Sequence, residues 1–234
     1  DTAHQAAFAD LDGDGLGELA AGGGYSGELR AYRSDGSRLW EARGLDHIHG
    51  LASGRLSSEE KADSLFLFSS QRGVPMLSVL DGRGRKKAVF HDETAPELGG
   101  VLRTDGSGAY LAHVGSRWSS EHDMLRISRV EGGTRAVEGE ADLGRTHAKS
   151  MVLVDLDADG RKELVFGTDN GWVLVYDDRA RFLTEKHFFG VIDHLAAGDA
   201  DGDGTDELFV GVSAVEPQLT AFGLVPRPRH EAAR

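Results

Sequence analysis

Asp10-Leu-Asp-Gly-Asp-Gly-Leu-Gly-Glu-Leu19 returns as Asp155-Leu-Asp-Ala-Asp-Gly-Arg-Lys-Glu-Leu164 and again as Asp199-Ala-Asp-Gly-Asp-Gly-Thr-Asp-Glu-Leu208, with no gap in any copy. The shared pattern, Asp-x-Asp-x-Asp-Gly-x-x-Glu-Leu, puts four carboxylates into nine residues. Such crowding repels itself unless a hard cation sits among the oxygens, and alternating acids followed by glycine are how a short loop wraps Ca²⁺. One copy could be an Asp-Gly turn that merely tolerates acids. Three copies in one register point to cation loops.

The loop is not an EF-hand. That motif needs a bidentate Glu at position 12, and the twelfth residues here are Ala21, Phe166 and Val210. The acid comes at position 9, and short apolar runs flank each loop: Ala6-Ala7-Phe8 before the first, Leu164-Val165-Phe166 after the second. Strand, acidic turn, strand is the pattern. Side-chain oxygens are assigned to Asp10, Asp12, Asp14 and Glu18, to Asp155, Asp157, Asp159 and Glu163, and to Asp199, Asp201, Asp203 and Glu207. The backbone carbonyls of Leu16, Arg161 and Thr205 add a further oxygen to each shell, with water completing it. Glycine at position 6 (Gly15, Gly160, Gly204) suits a reversal with positive φ.

The Leu that closes each motif recurs where the acids have vanished. Leu19, Leu65, Leu111, Leu164 and Leu208 are separated by 46, 46, 53 and 44 residues. A third apolar run follows in every unit, as in Leu29–Tyr32, Leu77–Leu80, Leu125–Ser128, Val173–Tyr176 and Leu219–Phe222. Turns such as Ser34-Asp35-Gly36 then lead to fourth runs such as Arg38-Leu39-Trp40 and Ala88-Val89-Phe90. Four short strands at this period define a β-propeller blade. The expected fold is an all-β propeller of about five four-stranded blades, near 1–45, 46–93, 94–144, 145–190 and 191–225, in one domain with a polar tail at 226–234. Pro226 and Pro228 argue against an ordinary fourth strand in the last blade, leaving it three-stranded or part of a larger propeller.

These loops resemble the FG-GAP and VCBS-type propeller repeats, the calcium-bearing blades also found in integrin α-subunit heads. The resemblance spans essentially the whole chain, and it implies about three Ca²⁺ ions held by the acids named above. Ala31–Trp40 also resembles the blade motif of quinoprotein-like propellers, although Trp40 has no counterpart in the other units. In the second unit Arg55, Ser57 and Glu59 stand where the first three acids belong, and Arg103–Gly108 in the third is too short and acid-poor. No calcium is expected in those two blades, and Arg55 is placed in the space of the missing cation.

A formal charge of −13 includes the twelve carboxylates of the shared pattern, and three Ca²⁺ would leave about −7. No basic stripe is present to neutralise phosphates, which argues against nucleic acid as a partner. No apolar run is long enough to span a bilayer as a helix. With no cysteine the chain does not report its redox compartment. Loops of moderate affinity fill where Ca²⁺ is millimolar, so an extracytoplasmic location is expected: periplasmic, cell-surface or secreted. A start at Asp1 without Met suggests processing or excision from a longer precursor.

Alternating topology puts the calcium loops on one face and leaves the other for ligands. There His4, His47, His49, His147 and His194 lie near the starts of inner strands, either converging as a transition-metal site or standing as ordinary solvated side chains. The loop Gly115–Asp123 offers Arg117, Trp118 and His122, a composition suited to a protein or glycan contact; alternatively Trp118 folds back over the blade edge. No nucleophile elbow, zincin helix or phosphate loop occurs. The leading expectation is a calcium-stabilised module binding a protein or glycan, alone or as a subunit of a larger assembly. The alternative is a metal-dependent enzyme or a propeller resembling polysaccharide lyases, whose chains are usually longer, using a His-containing site on the face opposite the calcium loops.

Overall fold

The computed structural model describes residues 5–23, 27–45, 47–117, 122–144, 146–202, 205–213 and 218–222. Every regular element among them is a β-strand, and the fold is a β-propeller of five antiparallel blades. Two compact units make up the chain, Asp1–Ala148 and Lys149–Arg234.

The first unit holds three blades. Blade 1 contains β1 (Gln5–Ala9), β2 (Glu18–Gly22), β3 (Leu29–Tyr32) and β4 (Arg38–Ala42). Blade 2 contains β5 (His47–Gly54), β6 (Ser64–Gln71), β7 (Val74–Leu80) and β8 (Lys86–His91). Blade 3 contains β9 (Thr94–Thr104), β10 (Gly108–Arg117), β11 (Asp123–Glu131) and β12 (Thr134–Asp142). In the second unit, blade 4 contains β13 (Ala148–Val154), β14 (Glu163–Thr168), β15 (Trp172–Tyr176) and β16 (Phe182–His187). Blade 5 contains β17 (Val191–Gly198), β18 (Glu207–Ser213) and β19 (Gln218–Phe222). It has three strands among the described residues, and Pro226 and Pro228 lie outside them.

The continuous apolar run of β6 shows why such strands form. Successive side chains of a strand point to opposite faces. Leu65 and Leu67 join Ala9, Leu29 and Ile48 on the blade 1 side, while Phe66 and Phe68 join Leu111 and Val130 on the blade 3 side. A strand covered on both faces reads as unbroken hydrophobic sequence. Burying each of these large side chains contributes roughly 2–3 kcal/mol. In the second unit Val165, Val173 and Val175 pack with Leu208, Val210 and Val212 in the same way. The outer strands have no such covering, and every residue of β16 is exposed.

Hydrogen bonds near the outer strands and at the loops help to join blades 1 and 2. Trp40 on β4 donates from its indole Nε1 to the Gly82 carbonyl at 2.7 Å, and its ring lies over Gly84, where an added Cβ would stand 2.9 Å from Cε3. Gly84 also has φ +74°, so both space and backbone require glycine there. At the loops, Asp10 N donates to Asp63 Oδ2 at 2.9 Å, and Asp63 N donates to the Asp10 carbonyl at 2.7 Å.

Candidate metal centres

Each acidic decapeptide forms the turn between the first two strands of blades 1, 4 and 5. One bond repeats in all three: the amide of position 2 donates to Oε2 of the position 9 Glu. Leu11 meets Glu18, Leu156 meets Glu163 and Ala200 meets Glu207, each at 2.8 Å. The bond folds the end of the loop back over its start and brings three carboxylates together. Oxygens of Asp10, Asp12 and Glu18 lie within 4.8 Å of one another, as do those of Asp155, Asp157 and Glu163 and those of Asp199, Asp201 and Glu207.

Asp14 and Asp159, at position 5, lie outside these groups of three. Asp14 Oδ1 accepts from the Leu16 amide at 2.8 Å and Asp159 Oδ1 accepts from the Arg161 amide at 2.9 Å, so these carboxylates brace the residue whose carbonyl was assigned to the shell. Asp203 lies outside the described residues; Thr205 follows the same loop in the described chain. Position 1 holds the turn from within: Asp10 accepts from Gly13 at 2.8 Å and Gly15 at 3.1 Å, and Asp155 from Asp159 at 3.1 Å and Gly160 at 2.8 Å. Gly15 and Gly160 have φ of +89° and +82°, the reversal that glycine at position 6 implied. Position 4 is also left-handed, at Gly13 (+81°), Gly202 (+80°) and Ala158 (+55°), a requirement that only two of the three copies express as glycine.

The donor set suits a hard divalent cation. Glu163 is 8% exposed, and its burial, with the charges of Asp157, Asp155 and Asp159, pushes its carboxyl up to about 7 despite the Leu156 amide. Clustered carboxylates without a countercharge are the state that a cation would relieve. The loops of blades 2 and 3 are built from other contacts. Lys87 Nζ lies 2.6 Å from Glu60, and Arg129 Nη2 lies 3.3 Å from Asp105. Arg55 stands 4.0 Å from Asp63, the residue that tethers the blade 1 loop.

Among the histidines, the His47 and His49 rings lie 4.3 Å apart, and His49 Nε2 meets Ser70 Oγ at 2.8 Å. Burial, and then His47, lower the His49 imidazole. His147 Nδ1 meets Asp123 at 3.1 Å, and His122 Nδ1 meets Asp142 at 3.1 Å. His194 is exposed and pairs across from Gly211. Among the described residues, no group of three or more metal-ligating side chains includes a histidine. His4 and Trp118 lie outside those residues; Arg117 ends β10.

Sequence reasoning missed a buried ionic network between blades 2 and 3. Asp92 and His113 are fully buried there, with Arg126 and Arg135 over nine-tenths buried. Arg126 donates through Nη1 to Asp92 at 2.7 Å, through Nε to Glu140 at 2.5 Å and through Nη2 to Glu93 at 3.1 Å. Arg135 reaches Ser128 Oγ at 3.0 Å, Asp92 Oδ2 at 2.7 Å and His113 Nε2 at 2.9 Å. A guanidinium only donates, so His113 Nε2 accepts and the imidazole proton sits on Nδ1, a buried donor without a partner among the described residues. Burial, reinforced by the two arginines against the pull of Asp92, lowers His113 to about 4. Burial raises Asp92, but His113 when charged, Arg135 and the Thr94 amide outweigh it and hold the carboxyl at about 2. Because His113 is neutral above about 4, Arg135 provides the lasting attraction at neutral pH. The available signal was His113 opposite Arg126, two polar residues inside apolar strand runs.

No family model matches the chain. Over 210 residues it is 25% identical to the lambda-carrageenase of Pseudoalteromonas carrageenovora, a match covering 81% of this chain and 22% of that enzyme. A Bacillus licheniformis rhamnogalacturonan lyase superposes with a TM-score of 0.62 at 16% identity, covering 95% of this chain and 49% of the lyase. Saccharomyces cerevisiae Sqt1 gives a TM-score of 0.64 at 9% identity, covering 99% of this chain and 64% of Sqt1. The chain thus spans about a fifth of the carrageenase and about half of the lyase. The structural likenesses establish the propeller fold and leave the chemistry open.

Proposed function

We propose that this chain is a calcium-stabilised β-propeller module of FG-GAP or VCBS type, serving as a protein- or glycan-binding scaffold within a larger extracytoplasmic protein or assembly. The observation that carries the reading is the threefold cradle, in which position 2 holds the position 9 Glu at 2.8 Å and three carboxylates converge. Asp10, Asp12 and Glu18 and their counterparts would hold the ion. Bound Ca²⁺ supplies the countercharge that lets acidic loops close, and the chain's own part is to orient those oxygens through backbone amides.

A ligand that binds only the folded state stabilises it by about 2.7 kcal/mol at a concentration one hundred times its Kd. Calcium titrated into chelator-treated protein is expected to bind at about three sites and to raise the melting temperature; a melt indifferent to calcium and chelator would overturn the reading.

The 25% identity to a carrageenase favours a second reading, a module of a polysaccharide-acting protein. Binding to lambda-carrageenan and rhamnogalacturonan, and release of reducing ends from them, would support it. Absence of both in the calcium-loaded protein would remove it and leave the scaffold reading with a protein partner.

A further inference from the structure

The buried network forms the floor of an open pocket of about 750 Å³ between the outer strands of blades 2 and 3. That volume lies within the range of ligand-binding clefts, about 300–1,000 Å³. Its apolar rim is Val89 on β8 and Val137 on β12, 41% and 48% exposed, although most apolar side chains at blade contacts are covered. Both strands are outer edges of their sheets.

Charge selects the occupant. Each guanidinium nitrogen of Arg126 faces a carboxylate, and those of Arg135 face Ser128, Asp92 and His113. Among the described residues, the pocket therefore has no unpaired arginine group to offer an anion. Its carboxylates, Asp92, Glu93 and Glu140, outnumber its two guanidiniums by one. Glu93 and Glu140 sit on neighbouring nitrogens of Arg126, and their side chains are 76% and 40% exposed. A sulfated or uronate-bearing chain would be repelled; a cationic head on an apolar stem is complementary.

We propose that this pocket receives the lysine or arginine side chain of a partner protein, with its methylenes along Val89 and Val137 and its charged head between Glu93 and Glu140. Long basic side chains suit such a site because the stem is apolar and the head is not. The inference rests on the chain being a binding module and requires no ion in the acidic loops.

Acetyl-arginine-amide and acetyl-lysine-amide, titrated into the isotope-labelled, calcium-loaded full chain at physiological salt, test it by amide chemical shifts. Saturable shifts confined to residues 89–93 and 135–140 are expected. They should weaken about tenfold in the Glu93→Gln/Glu140→Gln double variant, since two partly exposed charge pairs are together worth about 1–2 kcal/mol. Glutamine keeps an oxygen for Arg126, and Asp92 still holds that side chain, so the melting temperature should change little. If the double variant melts early, Glu140→Gln alone is measured and should still weaken binding by about threefold. The proposal is overturned by unsaturable shifts, by shifts unchanged in the variants, or by an equal response to acetyl-glutamate-amide or trigalacturonate. Calcium-dependent melting with no response to the basic probes would remove this inference alone; binding of the probes with calcium-independent melting would remove the calcium reading alone.

Discussion

Replacing Glu163 by glutamine should raise stability without calcium and lose some or all of that advantage with it. In the ion-free protein the Glu163 carboxyl is raised from 4.5 to about 7, with burial the largest cause. A carboxylate raised in the fold leaves stability intact below its unfolded value and removes it as pH rises through the folded value. The loss, accumulated between about pH 4.5 and 7, is about 3 kcal/mol at 1.36 kcal/mol per unit. The glutamine side chain would carry no charge and could still accept the Leu156 amide now held at 2.8 Å by Glu163. Thermal melts in chelator at pH 7.5 should therefore place the variant above the parent, by on the order of 10 °C if the whole chain unfolds together. In millimolar calcium the gap should narrow or reverse, because the variant would lose a charged ligand at one of the three proposed sites and with it part of the mass-action stabilisation. The reasoning fails if the variant melts no higher than the parent in chelator. The assignment of Glu163 to the ion fails if its calcium-induced shift is undiminished.

Ala158→Gly relieves a left-handed residue at φ +55° and should stabilise the ion-free protein by about 1 kcal/mol in urea denaturation. Gly84→Ala would place a Cβ 2.9 Å from the Trp40 ring at a backbone φ of +74°, and should cost about 1–3 kcal/mol, read as an earlier melt with quenched or shifted Trp emission. Asp92→Ala leaves Arg126 and Arg135 buried without their shared carboxylate and should cost about 3–5 kcal/mol by denaturant titration. In chelator and in the Glu163→Gln background, where the opposing gain from protonating Glu163 is absent, acidification should weaken the protein in two stages. His113 charges more readily unfolded than folded, so stability falls from about pH 6.5 to about 4. Asp92 then withdraws its contribution from 3.8 towards about 2. A His113→Phe variant should flatten the first stage in a melt-against-pH series and shorten the second, because charged His113 is one of the groups that hold Asp92 down.

The blade repeat was legible because its causes are local. An apolar run buried on both faces, as in Leu65–Phe68, and a turn that needs left-handed glycine, as at Gly15 and Gly160, are written in consecutive residues. Candidate ligands at positions 1, 3 and 9 were legible for the same reason, since one turn of chain brings them together. Trp40 was visible as an aromatic ending a motif, but its role depends on a carbonyl 42 residues away. Asp63, which ties down the first loop, comes from another blade.

The sequence by itself determined the strands, the turns and the acidic loops, because hydrophobic period, backbone sterics and carboxylate repulsion act between near neighbours. Only the tertiary structure decided that position 9 is held by a backbone amide while position 5 braces the loop. It alone gathered Asp92, His113, Arg126 and Arg135 beneath an open pocket. Those groups are far apart in the chain, and a buried charge is stable only where the fold brings its countercharge to it.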